Sequence, residues 1–367
     1  MITDKAGPGK NRPRKSRALR SKKIGLPPGA LVAVGDSKTE HLSITLIEYG
    51  VDEIIERRFD TITEALALPS RLPTVWLNVY GRPSAEGMSE IGNRFGLHPL
   101  VLEDILNTDQ RPKVDDYGDY LYIVARFFDY AHETLTVSSD QVSIVLGKNF
   151  VITFQERQTG SFDPVRERLR QNRGQIRRLI ADYLAYTLLD ALVDRYFLVL
   201  EQISERTEAL EDQLMQRATP EVLQTLHQLK RETLTLRRSV WPLREVVATL
   251  TRGDGRFFQA ETLPYLRDVY DHTVHVIESL EAIRDLIAGM LDIYLSSISN
   301  RVNQEVRLLT VIALIFMPAT MISGIFGMNF RTMPLLDNPL GFYFALGMIA
   351  AIASVFSIAF WRRRWLD

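Results

Sequence analysis

Near its C-terminal end the chain reads LLTVIALIFMPATMISGIF from Leu308 to Phe326. A second run, LGFYFALGMIAAIASVFSIAF, extends from Leu340 to Phe360, and neither run contains Asp, Glu, Lys or Arg. As a helix that rises about 1.5 Å per residue, each run is long enough to cross about 30 Å of hydrocarbon. A buried helix of a soluble protein is the alternative for either run alone. Two adjacent runs favour a pair of membrane-spanning helices.

The residues that flank these runs are those expected at the two membrane surfaces. Aromatic side chains lie at both ends of the pair: Phe326, Phe330, Phe342, Tyr343, Trp361 and Trp365. Basic residues precede the first run and close the second, namely Arg307, Arg362, Arg363 and Arg364, whereas the connector 327–339 carries Arg331 and Asp337. The positive-inside rule therefore predicts that both termini are cytosolic and that the connector is external. The start of the chain has no apolar core of a signal peptide.

The remaining composition excludes some classes of site. The 367 residues include no cysteine, so disulfides and cysteine-ligated zinc are excluded. The formal net charge of -1 hides a basic start. Residues 1–24 contain one acid, Asp4, and nine basic residues: Lys5, Lys10, Arg12, Arg14, Lys15, Arg17, Arg20, Lys22 and Lys23. We interpret them as a disordered, solvating tail. Contact with anionic lipid is the alternative, and we expect no nucleic-acid partner.

The region 25–163 is predicted to be a cytosolic domain that mixes strands and helices. Five segments are rich in β-branched and aromatic residues and are bounded by turn formers: Ile44–Tyr49, Thr74–Tyr80, Tyr120–Phe128, Gln141–Leu146 and Phe150–Phe154. A short helix is expected to begin at Pro99, because proline is well placed in a first helical turn.

Long helices are predicted after this domain. In the region 164–262, amphipathic segments run from Ala181 to about Met215 and from Pro220 to Leu250. A third helix, 263–326, would continue into the first apolar run and be on the order of 95 Å long. Its apolar positions follow a seven-residue spacing: Val269, Val276, Ile283 and Met290, and also Leu280, Ile287 and Tyr294. We interpret it as a stalk packed against copies of itself, followed by the external loop 327–339, the second spanning helix 340–361 and a basic end 362–367.

The tripeptide Gly327-Met328-Asn329 stands at the outer end of the first run. In that position it resembles the signature of the CorA magnesium/cobalt transporter family. Further stretches carry the resemblance: His98 to Asp104, Arg111 to Val114, Trp241 to Glu245, Arg267 to His272 and Tyr294 to Ser297. The resemblance implies an α/β/α sandwich, long stalk helices and two transmembrane helices in a funnel-shaped homopentamer. It also implies a prokaryotic inner membrane location and influx of Mg²⁺ or Co²⁺, with Ni²⁺ a further candidate.

Several residues of the third helix are candidates for a pore wall. A ring of Asn329 amides would hold a hydrated ion through its waters, and the alternative for Asn329 alone is a helix cap. Steps of three and four inward from Gly327 select one face: Gly324, Thr320, Met317, Ala313, Leu309, Val306 and Asn303. Met317, Leu309 and Val306 would form a hydrophobic constriction, and Asp292 would attract cations below it. Contact with lipid or a neighbouring helix is the alternative for the apolar members.

Four acids are candidates for regulatory metal binding. Asp104 and Asp268 match, by motif, the family's pair that binds a divalent ion between adjacent subunits. Glu103 and Asp190 are candidate neighbours for a second hydrated ion. The resemblance implies negative feedback, in which cytosolic Mg²⁺ bridges the subunits and holds the pore shut. The alternative for each acid taken alone is a solvated surface charge.

The outer connector departs from the family pattern, and other functions have to be weighed. Arg331 and Leu335 stand where family members often carry acids, so weaker recruitment of cations is expected. The sequence has no phosphate-binding loop, paired-His helix or Gly-x-Ser-x-Gly motif, so we expect no enzyme and no ATP-driven pump. The remaining alternatives are a ZntB-type zinc transporter and a membrane-tethered sensor that conducts nothing.

Overall fold

The structure is a computed structural model that describes residues 25, 27–31, 41–131, 135–253, 256–328, 335 and 338–362. Several sequence predictions fall outside these ranges: the basic tail 1–24, the amide of Asn329, the connector residues Phe330, Arg331 and Asp337, and the final residues 363–367. Two compact units can be distinguished, one formed by residues 1–209 and 227–287 and the other by residues 210–226 and 288–367.

A seven-stranded sheet organises the first unit. Its strands are β1 (Ser43–Tyr49), β2 (Ile54–Phe59), β3 (Thr74–Tyr80), β4 (Lys113–Asp116), β5 (Tyr120–Ala131), β6 (Thr136–Gly147) and β7 (Phe150–Gln155). They are arranged in the order β2-β1-β3-β7-β6-β5-β4. The neighbours β3 and β7 are parallel, and every other neighbouring pair is antiparallel.

Short helices cover one face of this sheet. They are α1 (Ile62–Ala67), α2 (Ala85–Phe95) and α3 (Pro99–Leu106). Their buried side chains form one core with the alternate β3 residues Val75, Leu77 and Val79. Side chains of a strand point to opposite faces in turn, so Trp76 lies on the other side, where its ring meets Phe162 edge-on at 6.1 Å. All seven residues of β3 are buried, as expected of a central strand covered on both faces.

The second face is covered by α4 (Asp163–Arg170) and the first part of α5 (Ala181–Gln216). Arg166 of α4 donates to Tyr80 Oη at 2.6 Å, and Tyr196 of α5 donates to the Arg126 carbonyl at 2.5 Å. Tyr196 also packs edge-on against Phe128 at 5.3 Å. Helices therefore lie on both sides of the sheet, and the predicted α/β/α sandwich is confirmed.

The five predicted strands are present, but two others were not predicted. β2 has the sequence IIERRF at an edge of the sheet, where charged side chains remain in water, and β4 has only four residues, of which three are charged. The long hairpin of β5 and β6 also extends beyond its predicted ends, pairing Ala131 with Thr136. Apolar alternation detects buried strands and misses such polar pairing segments.

The long helices have the predicted extents. After α5 come α6 (Pro220–Arg252), α7 (Leu263–Phe326) and α8 (Gly341–Arg362). α7 is one continuous helix of 64 residues that contains Pro318. The stripe from Val269 to Tyr294 is already covered within a single chain, where its members are at most 7% exposed, so it gives no evidence of packing against copies of the chain. Helices of the same chain produce the same seven-residue spacing.

The apolar part of α7 and the whole of α8 are largely uncovered. In the most apolar 18-residue segment of each helix, 6% of the residues are buried in α7 and 0% in α8. Neither segment is therefore a core helix buried within this chain. Less exposed positions form a single stripe on each helix. On α7 they are Arg307, Val311, Leu314, Ile315, Pro318, Ala319, Ile322 and Phe326, and on α8 they are Gly341, Ala345, Ile349, Ile352, Ala353, Phe356 and Phe360. This pattern is typical of two helices that shield one face each.

One ion pair between α5 and α6 offers a test of the first unit. Arg206 donates to Glu232 at 2.8 Å, and their side chains are only 15% and 10% exposed. Glu232→Ala leaves the guanidinium uncompensated, so we expect the free energy of unfolding to fall by about 3 kcal/mol. The double variant Arg206→Met/Glu232→Leu buries no lone charge and should unfold within about 1 kcal/mol of the wild type. Thermal unfolding in detergent measures both, and equal losses in the two variants would contradict this assignment.

Candidate functional site

Two of the candidate acids are presented by the short helix α3. His98 caps it by accepting the Leu100 N–H at Nδ1 (3.2 Å), and Pro99 occupies its first turn. The His98 N–H in turn donates to Tyr120 Oη at 2.8 Å. The helix buries Val101, Leu102, Ile105 and Leu106, and this orientation leaves Glu103 and Asp104 at the other side, only partly covered.

The carboxylate of Asp104 is engaged at both oxygens. Lys113 Nζ lies 2.7 Å from Oδ2, and Gln110 Nε2 donates to Oδ1 at 2.5 Å. The same ammonium lies 2.6 Å from Asp115 Oδ2. Asp104 therefore has one cation, which it shares with a second carboxylate.

Lys113 is held in place by its surroundings. Its ammonium lies 5.4 Å from the centre of the Tyr122 ring. Partial burial by itself lowers the pKa of Lys113, but hydrogen bonds to Asp104 and Asp115 outweigh that effect and the pKa is raised. The lysine thus stays charged. Next to it, Glu103 accepts the backbone N–H of Gly29 at 2.7 Å, so the segment 27–31 lies against α3.

Asp190 of α5 has a different environment. Burial, followed by repulsion from Asp194, raises the pKa of Asp190 to about 6, against the opposing effects of Arg168 and His272. The carboxylate is therefore partly protonated near neutral pH, and a cation that approached it would restore its charge.

Asp268 is the most accessible of the four acids. Its side chain is 63% exposed, and His272, one helical turn further along α7, is 3.9 Å away through Nε2. The Nδ1 atom of His272 is buried without a hydrogen-bond partner among the described residues. Both Asp268 and His272 act on the charge of Asp190.

The four acids thus fall into two groups. Asp190 and Asp268 form one group, since the charge of Asp268 contributes to the raised pKa of Asp190. Asp104, paired with Lys113, and Glu103, which accepts the Gly29 N–H, form the other. Within the described part of the chain, no three or more His, Cys, Asp or Glu side chains are placed to hold a metal ion together. Carboxylates from both groups have the oxygen chemistry that Mg²⁺ prefers.

The predicted pore face of α7 is uncovered. Asn303, Val306, Leu309, Ala313, Met317, Thr320, Gly324 and Gly327 are all exposed, as is Asp292 further down the helix. Val306, Leu309 and Met317 are 55%, 66% and 65% exposed. At 100° per residue this face lies opposite the less exposed stripe of α7. The helix therefore has one side shielded by its own chain and one side that is not.

Gly327 lies at the end of α7 and is not among the described glycines with positive φ. Its N–H continues the helix by donating to the Ser323 carbonyl at 2.9 Å. A Cβ at this position would lie 3.2 Å from that carbonyl oxygen, which is a close contact. Met328, which follows, is 49% exposed.

Some residues of the site were not identified from the sequence. Lys113, Gln110 and Asp115 surround Asp104, and Asp194 and His272 act on Asp190. Lys113 lies in the segment Arg111 to Val114, which carried part of the family resemblance but had no assigned role. The available signal was its spacing from Asp115, since residues i and i+2 of a strand share a face.

Known proteins resemble this chain over most of its length. The family model described as "CorA-like Mg2+ transporter protein" matches residues 73–364. The cobalt/magnesium transport protein CorA of Thermotoga maritima is 44% identical over 346 residues, which cover 94% of this chain and 98% of that protein. The putative metal ion transporter YfjQ of Bacillus subtilis is 32% identical over 292 residues, or 80% of this chain and 90% of that protein.

A solved structure has the same fold. The complete CorA magnesium transporter of Methanocaldococcus jannaschii matches with a TM-score of 0.75, covering 88% of this chain and 98% of that one. Its sequence is only 21% identical, so this likeness concerns the fold alone.

The raised pKa of Asp190 generates a prediction about stability. Between about pH 4 and pH 6 the native carboxyl keeps a proton that the unfolded chain releases, so the free energy of unfolding decreases as pH rises through this window. Asp190→Asn removes the decrease and should stabilise the chain at pH 7 by roughly 1 kcal/mol after allowance for solvent screening. Thermal unfolding in EDTA at pH 4.5 and pH 7 measures the difference. Asp212→Asn, an exposed acid of the same helix, is the control, and a pH-independent difference for Asp190→Asn would contradict the assignment.

Proposed function

The chain belongs to the CorA-like Mg²⁺ transporter family, and on that premise we propose that it is a channel for divalent cations, formed by a ring of identical subunits. The observation that carries the proposal is the uncovered face of α7, which bears Asn303, Thr320 and Gly324 between apolar residues. The Thr320 hydroxyl is satisfied within the helix by the Phe316 carbonyl at 3.0 Å, and small residues such as Thr320 and Gly324 leave space beside the helix. A ring of copies that turn this face inward would enclose a path for ions.

The path would be selective at its outer entrance. Mg²⁺ loses its waters reluctantly, so a ring of Asn329 amide oxygens that binds the waters can select the hydrated ion and still release it. Below the entrance, Thr320 and Gly324 leave room for a hydrated ion. Met317, Leu309 and Val306 supply an apolar constriction that conducts only when wetted. Asn303 and then Asp292 would receive the ion on the cytosolic side.

The number of subunits, the ion and the direction of transport are parts of the same proposal. The names of the T. maritima and M. jannaschii proteins support Mg²⁺ and Co²⁺ as cargo, with Ni²⁺ a further candidate. We propose a homopentamer in a prokaryotic inner membrane, with both termini cytosolic. The membrane potential, negative inside, then drives cations inward without ATP.

Gating would rest on the two groups of carboxylates. Asp104 and Glu103 of one subunit would face Asp268 and Asp190 of its neighbour. Lys113 offsets only one of the two charges of Asp104 and Asp115, so a net negative charge remains on this side and repels the facing acids when no Mg²⁺ lies between them. Cytosolic Mg²⁺ removes the repulsion, holds the ring together and closes the pore. When the internal concentration falls, the ring loosens and conducts. The accessibility of Asp268 and the raised pKa of Asp190 support such a role.

Flux into liposomes tests the channel. We expect Mg²⁺ and Co²⁺ to enter vesicles that contain the wild-type chain, and Mg²⁺ on the cytosolic side to suppress entry. Asn329→Ala should reduce flux by roughly tenfold or more, since several lost hydrogen bonds of about 1 kcal/mol each exceed the 1.4 kcal/mol that corresponds to tenfold.

The matched control for this substitution is Asn338→Ala. Asn338 lies in the same connector but caps the start of α8, where its side chain accepts the Leu340 N–H at 3.0 Å. The Asn338→Ala variant should retain most of the wild-type flux. Absence of flux with every divalent cation would favour the non-conducting sensor, and flux of Zn²⁺ alone would favour the ZntB-type alternative.

The charge of the connector yields a separate prediction. A ring of Arg331 side chains opposes the approach of cations, so Arg331→Glu should increase uptake severalfold at low external Mg²⁺ and low salt. The gain should shrink at high salt because screening removes it. Arg331→Lys keeps the charge and should behave as the wild type. Uptake by Arg331→Glu that equals the wild type at low salt contradicts the prediction.

A further inference from the structure

Asp104 already carries a cation in the isolated chain. Its two oxygens accept from Lys113 at 2.7 Å and from Gln110 at 2.5 Å, and only 26% of its side chain is exposed. A hydrated divalent ion binds a carboxylate through the same lone pairs, which accept hydrogen bonds from its waters or coordinate the metal directly. The ion and the lysine ammonium therefore compete for one group.

The Lys113 ammonium has a second carboxylate partner, Asp115. Lys113 and Asp115 are alternate residues of β4 and project from the same face of the strand, where Lys113 Nζ lies 2.6 Å from Asp115 Oδ2. The ammonium also lies over the Tyr122 ring, 5.4 Å from its centre. The ammonium can thus release Asp104 and remain paired.

We propose that Lys113 is an internal competitor of the regulatory cation, which occupies Asp104 when cytosolic Mg²⁺ is low and is retained by Asp115 when the ion binds. This inference rests on the proposed function, because it concerns how much cytosolic Mg²⁺ the proposed carboxylate site needs before it responds. Asp104 contributes its charge to the inter-subunit site only after the lysine has withdrawn. The response therefore begins at a higher Mg²⁺ concentration than two free carboxylates would give.

Removal of the Lys113 ammonium and removal of the Asp115 carboxylate should have opposite effects on ion binding. Loss of the ammonium frees Asp104, so Lys113→Gln should lower the Mg²⁺ midpoint by about threefold to tenfold. Loss of the second carboxylate leaves the ammonium on Asp104 alone, so Asp115→Asn should raise the midpoint by about threefold. In the double variant the lysine is absent, and the Asp115 substitution should then have no further effect.

The experiment measures Mg²⁺-dependent thermal stabilisation of the full chain in detergent, with no transport involved. Lys113→Arg, which keeps the charge, should lie near the wild type. Arg111→Gln removes the same charge from an exposed position two residues away and controls for a general electrostatic effect. Lys113→Met removes the charge but keeps a long apolar side chain, so it repeats the test without a new polar group, and unfolding in EDTA confirms that each variant is folded.

The outcomes separate this inference from the proposed function. Asp104→Asn and Asp268→Asn should each abolish stabilisation by Mg²⁺, and if neither does, the regulatory carboxylate site itself is rejected. If they do while Lys113→Gln and Lys113→Met leave the midpoint unchanged, only the competition is rejected. The competition is also rejected if Arg111→Gln shifts the midpoint as much as Lys113→Gln, or if Asp115→Asn acts equally with and without the lysine.

Discussion

One side of α7 is shielded by its own chain and the other side is not, and the rest of the molecule has to be understood from that asymmetry. A helix in hydrocarbon satisfies its own backbone, so the constraint falls on its side chains. Apolar side chains such as Leu309 tolerate lipid, and the Thr320 hydroxyl donates to the Phe316 carbonyl at 3.0 Å within the helix. The proposed ring of copies would cover the exposed side with further α7 helices.

The four candidate metal-binding acids lie in two separate groups. Asp190 and Asp268 are brought close together by α5 and α7, whereas Asp104 and Glu103 are presented by α3. Within the described part of the chain, neither group belongs to a set of three or more His, Cys, Asp or Glu side chains placed to hold a metal ion. Asp104 has a local counter-ion, the ammonium of Lys113.

The sequence predicted the long helices and the central strands well, because their patterns are long and strongly apolar. It missed β2 and β4, whose charged residues conceal their pairing. It also placed the stripe around Val276 against other copies, since a seven-residue spacing does not reveal which chain supplies the neighbouring helix. Asp104 and Asp268 were identified by resemblance. The lysine on Asp104 was not, because a partner nine residues away across a turn follows no fixed periodicity.

The parallel pairing of β3 with β7 also governs the order of assembly. Val75 pairs with Phe150, so the two halves of the sheet can join only after the intervening helices and the β5–β6 hairpin have been synthesised. Contacts between residues so distant in sequence form slowly, because a long loop must close before they are made. The apolar segments follow this region in the chain, so β7 leaves the ribosome well before they do. Nascent subunits can therefore complete their cytosolic part first and bring a finished sheet to the membrane.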